Sequence, residues 1–205
     1  MELSAATLAN AHVRLEPFEE RHRAGLAAAA HADLIIFKHM PYPIAERGYG
    51  EWFEQLRAEQ EEGRWIPHAV IAPGGAVVGQ SCYINIRSKD ACVEIGATWY
   101  RREAQGTAIN PAAKLLLLSH AFACGAERVE LKTDALNAQS RAAMLKLGCA
   151  FEGVMRKQMR RPDGSWRDNA WYAITREDWP GILERIEARL AAFARARTAP
   201  QPPPL

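Results

Sequence analysis

The common nucleotide grips are missing from this sequence. No paired glycine runs into Lys-Ser or Lys-Thr, and no G-x-G-x-x-G follows a strand-like segment, which excludes a nucleotide P-loop and a dinucleotide fingerprint. Cysteine is sparse: Cys82, Cys92, Cys124 and Cys149 are scattered, form no C-x-x-C and have no paired histidines beside them, so no metal site is expected. The N-terminal MELSAATLANAH lacks the basic region and apolar core of a signal peptide, so reduced thiols in a cytoplasm are expected. No apolar run approaches membrane-spanning length. An excess of one charge sign is also lacking. Lys and Arg number 26 against 24 Asp and Glu, a net +2 spread along the chain, which gives little long-range pull toward nucleic acid or a membrane. Small-molecule or peptide partners are expected, on a chain of 205 residues that suits one domain.

What the chain does contain is organised around Glu94 to Lys114, EIGATWYRREAQGTAINPAAK. Ile95, Ala97 and Trp99 alternate with Glu94, Gly96 and Thr98, as in a strand, and the leucine-rich run from Lys114 to Phe122 suits a buried helix. Between them, Gln105-Gly106-Thr107-Ala108 puts a glycine and small residues directly before a helix start. Backbone N–H groups can there approach an anion that the helix N-terminus also attracts. The stretch reads as a phosphate cradle or as a plain strand-to-helix turn.

The rest of the chain predicts an α+β domain. His12 to Phe18 reads as a first strand, Glu19 to Ala32 as a helix, and Tyr49, Trp52, Phe53 and Leu56 as the apolar face of a second helix. Trp65 to Ala72 and Ala76 to Arg87 form a hairpin around Pro73-Gly74-Gly75, leading through Ser88-Lys89-Asp90 into the Glu94 strand. Arg128 to Thr133 reads as a strand. Asn137 caps a helix over Ala138 to Leu147 that Gly148 ends. Ala150 to Arg160 and Asp168 to Thr175 form a second hairpin around Pro162-Asp163-Gly164, and Pro180 opens a terminal helix with Leu183, Ile186, Leu190 and Phe193 as its buried stripe. TAPQPPPL reads as a disordered tail.

Three stretches in this order, GATWYRREAQGTAINPAAK, TDALNAQSRAAMLKLGCAFEGVMRK and PDGSWRDNAWYAI, resemble the GCN5-related N-acetyltransferase (GNAT) superfamily, in its branch acting on ribosomal-protein N-termini and related amines. The resemblance covers about His12 to Trp179. It divides the chain into a GNAT domain over 12–179, a helix over 180–197 packed on it, and the tail over 198–205. It implies a twisted, mostly antiparallel sheet of about six to seven strands, two of which splay apart to admit acetyl-CoA. It also implies transfer of acetyl to a primary amine, of a protein N-terminus or a small molecule, by direct attack within a ternary complex.

Residue by residue, the family's pyrophosphate motif falls on Glu103-Ala104-Gln105-Gly106-Thr107-Ala108, where Glu103 departs from the usual Gln or Arg. Glu103 is expected to face solvent, since a carboxylate turned inward would repel a diphosphate. Backbone N–H groups of Gln105, Gly106, Thr107, Ala108 and Ile109 are implied phosphate contacts, and those near Ala97, Thr98 and Trp99 suit the pantetheine amides and an oxyanion. Asn137 matches the family asparagine on the pantetheine arm and equally an ordinary helix cap. Ser140 matches the serine near the thioester sulfur, able to protonate the departing thiolate. Glu94 is the implied base, although strand alternation also allows it a solvated position; Glu130 and Glu152 are weaker candidates. Tyr172 reads as a buried sheet residue, Trp65, Trp99, Trp166 and Trp171 as core or cleft walls, and His39 and His68 as structural or surface residues. Arg156, Lys157, Arg160, Arg161 and Arg167 read as a solvated hairpin face. The terminal helix and apolar patches leave room for a homodimer. The alternative reading, a catalytically silent CoA-binding sensor or assembly module, rests on Glu103.

Overall fold

A computed structural model describes residues 1–198. Its strands are β1 (Leu8–Ala9), β2 (Arg14–Pro17), β3 (Ile66–Ile71), β4 (Val77–Arg87), β5 (Cys92–Tyr100), β6 (Arg128–Asp134), β7 (Ala150–Arg160) and β8 (Trp166–Thr175). The helices are α1 (Arg23–His31), α2 (Ile44–Arg47), α3 (Tyr49–Glu61), α4 (Ile109–Ala123), α5 (Ala138–Leu147) and α6 (Trp179–Thr198). One sheet carries the strands in the order β1-β2-β3-β4-β5-β6-β8-β7, and every neighbouring pair is antiparallel except β5 and β6. This is the mixed fold expected, with eight strands instead of six or seven. The additional strand β1 is two residues long, held against β2 by a turn in which Asn10 Oδ1 accepts from the N–H groups of His12 and Val13.

Each face of the sheet buries a separate apolar cluster. On one face, Leu117 and Leu118 of α4 and Ile182, Ile186 and Leu190 of α6 join Val93, Val129 and Ile174. On the other, Leu26 of α1 and Tyr49, Trp52, Phe53 and Leu56 of α3 pack on Ala69, Cys82, Ile84 and Trp99. The α3 stripe is the one its spacing predicts. The α6 stripe begins at Ile182, not Leu183, because residues 182, 186 and 190 repeat every four positions. The helix also runs through Thr198, the first residue of the expected tail, and residues 199–205 lie outside those described. Among the described residues no helix is long and apolar enough to cross a membrane.

Two irregularities in the sheet shape the site. β5 pairs with β6 only over Cys92, Val93 and Glu94, opposite Arg128, Val129 and Glu130, so the strands have no further ladder bonds beyond Glu94. On its other side β5 bulges: Cys82 faces Gly96 and Gln80 faces Trp99, leaving Ser81 opposite both Ala97 and Thr98. Ala97 accordingly takes a left-handed φ of 48°. Its carbonyl accepts from Gln80 Nε2 at 3.0 Å, and Gln80 Oε1 accepts from the buried Tyr49 hydroxyl at 2.6 Å, so α3 fixes the bulge through one glutamine. Gly79 permits the close approach beside it. A Cβ there would lie 2.1 Å from the Trp99 carbonyl oxygen and 2.9 Å from Tyr100 Cα. Gly79→Ala is therefore expected to destabilise the fold by about 1–3 kcal/mol, measured by denaturant unfolding, because both offending atoms are backbone and neither can swing aside.

Candidate active site

Where β5 and β6 part, a cleft of about 450 Å³ opens, large enough for a cofactor-sized ligand. Its walls come from the segment before α2, from β5, from the β5–α4 turn and the first turns of α4, and from β6 and α5, with single residues from β4, β7, β8 and α6. Glu94, Ala97, Thr98, Trp99, Gln105, Gly106, Thr107, Asn137 and Ser140 all line it. Ala108 and Ile109 do not: both pack against the core below α4.

The β5–α4 turn presents free donors. Gln105 N–H donates to the Arg102 carbonyl, and Ile109 N–H to Thr107 Oγ1, so these two groups of the expected phosphate set are occupied. Gly106, Thr107, Ala108 and Asn110 keep N–H groups without a partner among the described residues, at the start of a helix of 15 residues. Pro111 sits in the first helical turn, where a missing N–H costs nothing. Gly106 has φ +74° and open space where a Cβ would project, so a ligand can come directly against the backbone. Glu103 points away, 68% exposed and paired with Arg101 at 2.8 Å. The one feature that favoured a silent CoA-binding module therefore does not face the turn.

On α5, Asn137 Oδ1 caps the helix by accepting from Ser140 N–H at 3.0 Å, while its Nδ2 has no hydrogen-bond partner among the described residues, and Asn137 lines the cleft. Ser140 Oγ is likewise without a partner among the described residues. The N-cap is thus real, and the amide's other end remains available. Asn137→Ala is expected to cost about 1 kcal/mol of stability by thermal melting, from loss of the cap.

Glu94 occupies neither a solvated nor an isolated position. It is 1% exposed, and its Oε2 accepts from Lys132 Nζ and from Asn85 Nδ2, each at 2.7 Å. Lys132 in turn lies over the Trp171 ring. The weaker carboxylates are engaged elsewhere: Glu130 with Arg87 and Arg128, and Glu152 with Arg128. Tyr172 is fully buried and accepts from Arg141, as its sheet position suggests. Of the tryptophans, Trp99 packs at right angles to Phe37 and Tyr49, but Trp166 is exposed beneath Arg160.

Three groups at the cleft carry no sequence signal that marks them. Lys114, within the leucine-rich run, points inward from α4, donates to Thr98 Oγ1 at 3.1 Å, and has no carboxylate partner among the described residues. Burial pulls its pKa down to about 8, against a weaker opposing pull from Cys149 and Cys82. Arg167, expected in a solvated hairpin face, is 5% exposed and lines the cleft; burial lowers its pKa, with Asp134 acting in the other direction. Arg161 of the same run is bound to Asp134. His39 lines the cleft, its pKa lowered by burial, whereas His68 is buried on β3 opposite Pro17 and falls to about 4 for the same reason. All four cysteines are free thiols. Cys124 approaches His120 at 3.7 Å, but neither lines the cleft.

The sheet thus parts at its one parallel pair, with unpartnered N–H groups at the head of the next helix. A family model for the acetyltransferase (GNAT) domain matches residues 12–150, and the chain belongs to that family. It is an acyl-CoA-dependent acetyltransferase. A structure assigned as an acetyltransferase of T. thermophilus is 33% identical, with a TM-score of 0.80 over 93% of this chain and 100% of the other. RimJ of Mycobacterium smegmatis, in complex with CoA-disulfide, is 26% identical, with a TM-score of 0.75 over 90% of this chain and 93% of its own. That likeness is consistent with the ribosomal-protein acetyltransferase-like branch. A GCN5-related N-acetyltransferase from Brucella melitensis shares the fold at 24% identity and a TM-score of 0.83, over 91% and 86% of the two chains. No curated protein matches the chain significantly.

Proposed function

We propose that this chain moves an acetyl group from acetyl-CoA to a primary amine, on a protein N-terminus or a small molecule, by direct attack within a ternary complex. The observation that carries the reading is the set of free N–H groups on Gly106, Thr107 and Asn110, residues that line the cleft between β5 and β6. Those groups, with the positive end of α4, would hold the diphosphate. The backbone of Ala97 to Trp99 and the free Nδ2 of Asn137 would hold the pantetheine arm. The thioester supplies an already activated acyl group, so the protein's work is positioning, proton transfer and charge stabilisation.

Glu94 takes the role of base, relaying a proton from the amine through water, and Lys132 and Asn85 hold its carboxylate in one orientation. Ser140 Oγ, without another partner among the described residues, delivers a proton to the departing thiolate and regains one from cleft water. The ammonium of Lys114, fixed under β5 by Thr98, favours negative charge developing in the cleft. Burial pushes the Cys149 thiol up to about 12 and raises that of Cys82 further still, which leaves both poor nucleophiles and supports direct transfer. Calorimetric titration with acetyl-CoA, repeated in the presence of ATP, tests the cofactor assignment. Saturable binding that ATP does not displace is expected; competition by ATP would point to a general nucleotide site.

A further inference from the structure

We propose that Arg167 receives a carboxylate of the acceptor, so that the amine this enzyme acetylates is an amino acid or a peptide-like amine carrying an acidic group near its nitrogen. The inference rests on the acetyl-transfer reading above and narrows its substrate class.

The geometry isolates this guanidinium. Arg167 is buried on β8 at the cleft wall, and its Nε is enclosed without a hydrogen-bond partner. The nearest acid is Asp134, whose Oδ2 lies 3.7 Å from Nε, beyond hydrogen-bond reach. Asp134 is already engaged: Arg161 donates to Oδ2 at 2.9 Å and to Oδ1 at 3.1 Å, and Leu136 N–H donates to Oδ1 at 2.9 Å. One aspartate thus faces two arginines and binds the outer one. A buried guanidinium whose one ion pair is long and lacks a hydrogen bond is costly, and the cost falls when a ligand supplies oxygens to it. A planar carboxylate does so with two parallel bonds, which a single-point anion cannot.

The surroundings favour the acceptor over the acyl carrier as the source of that carboxylate. The groups that act electrostatically on Arg167 are Asp134, Tyr42, Arg161 and Glu94, and Arg167 acts in turn on His39. None belongs to the turn from Gln105 to Asn110. Glu94, the other acid of this wall, is paired with Lys132, and Asp134 is shared with Arg161, so Arg167 has only the long contact to Asp134 as its ion pair among the described residues. The proposed base and the guanidinium both line the cleft, as an amine and a carboxylate of one small molecule require.

The test uses matched acceptors: α-amino acids and short ω-amino acids against their carboxamides, and dipeptides with free against amidated C-termini, read as acetyl-CoA-dependent thiol release. The wild type is expected to favour the carboxylate members through KM, by about tenfold or more for a charge-assisted pair. Arg167→Met is expected to abolish that preference, raising KM for the carboxylates about tenfold or more while changing the amides little and leaving acetyl-CoA binding intact. Competition assays on the wild type need no variant: the carboxylic acids lacking the amine should inhibit, and their amides should not. Equal turnover of both series, or a preference for amides, overturns the proposal and leaves acetyl transfer standing. Absence of thiol release with every amine overturns both.

Discussion

Lys114→Met is expected to melt above the wild type at pH 7. The lysine is 7% exposed, has only hydroxyl groups as hydrogen-bond partners, and its pKa is pulled from 10.5 to about 8 by burial. At about 1.4 kcal/mol per pH unit, that displacement means the charged form destabilises the folded state by about 3 kcal/mol. Losing its hydrogen bonds to Ser81 and Thr98 offsets about 1 kcal/mol, since those two hydroxyls still bond each other at 2.7 Å. A net gain of about 2 kcal/mol corresponds to about 4–8 °C in a chain of this size. The sign with pH follows from linkage. Below pH 8 both the folded and unfolded chains hold the proton, and the penalty is fully present. Between pH 8 and 10.5 only the unfolded chain holds it, so wild-type stability rises with pH and the advantage of the variant disappears. The same variant is expected to lose acetyl transfer by about 10²-fold, a trade of activity for stability at a charged site. Melting curves at pH 7 and 10.5, with turnover at pH 7, decide it; a variant no more stable than wild type at pH 7 would remove the argument.

Glu94 and Lys132 form the second large effect. Glu94→Gln is expected to lower kcat by about 10²–10⁴-fold, the usual range for loss of a positioned base, with acetyl-CoA binding unchanged. Lys132→Met leaves the Glu94 carboxylate buried with only Asn85 beside it, and is expected to cost about 3–5 kcal/mol. Adding Glu94→Gln to Lys132→Met should restore most of that stability and none of the activity. Denaturant unfolding of the two single variants and the double variant checks the coupling. Additive stabilities would show that the pair does not interact.

The parts of this molecule written in local sequence were legible. The 3.6-residue spacing of Tyr49, Trp52, Phe53 and Leu56 places α3, Pro73-Gly74-Gly75 places a hairpin, and Asn137 with Gly148 delimits α5. Glu103 faces solvent as charge repulsion requires. What local sequence could not show is where two distant segments meet. Lys114 looks like any lysine on an amphipathic helix until α4 turns it under β5. Arg167 looks like one of five basic hairpin residues until β8 lies beside β6 and Asp134 selects Arg161 instead. The left-handed residue of the bulge is Ala97 and not its neighbour Gly96, and its support comes from Gln80 and Tyr49 on other elements. β1 is too short to carry a pattern at all.

Amine-dependent release of CoA thiol from acetyl-CoA, followed in the purified wild-type protein across primary amines, tests the central claim most directly. The account predicts no release above background without an amine, and release matched one for one by acetylated amine when an acceptor is present. Thiol release that does not depend on the amine, or a stable acetyl group left on the protein, would contradict direct transfer.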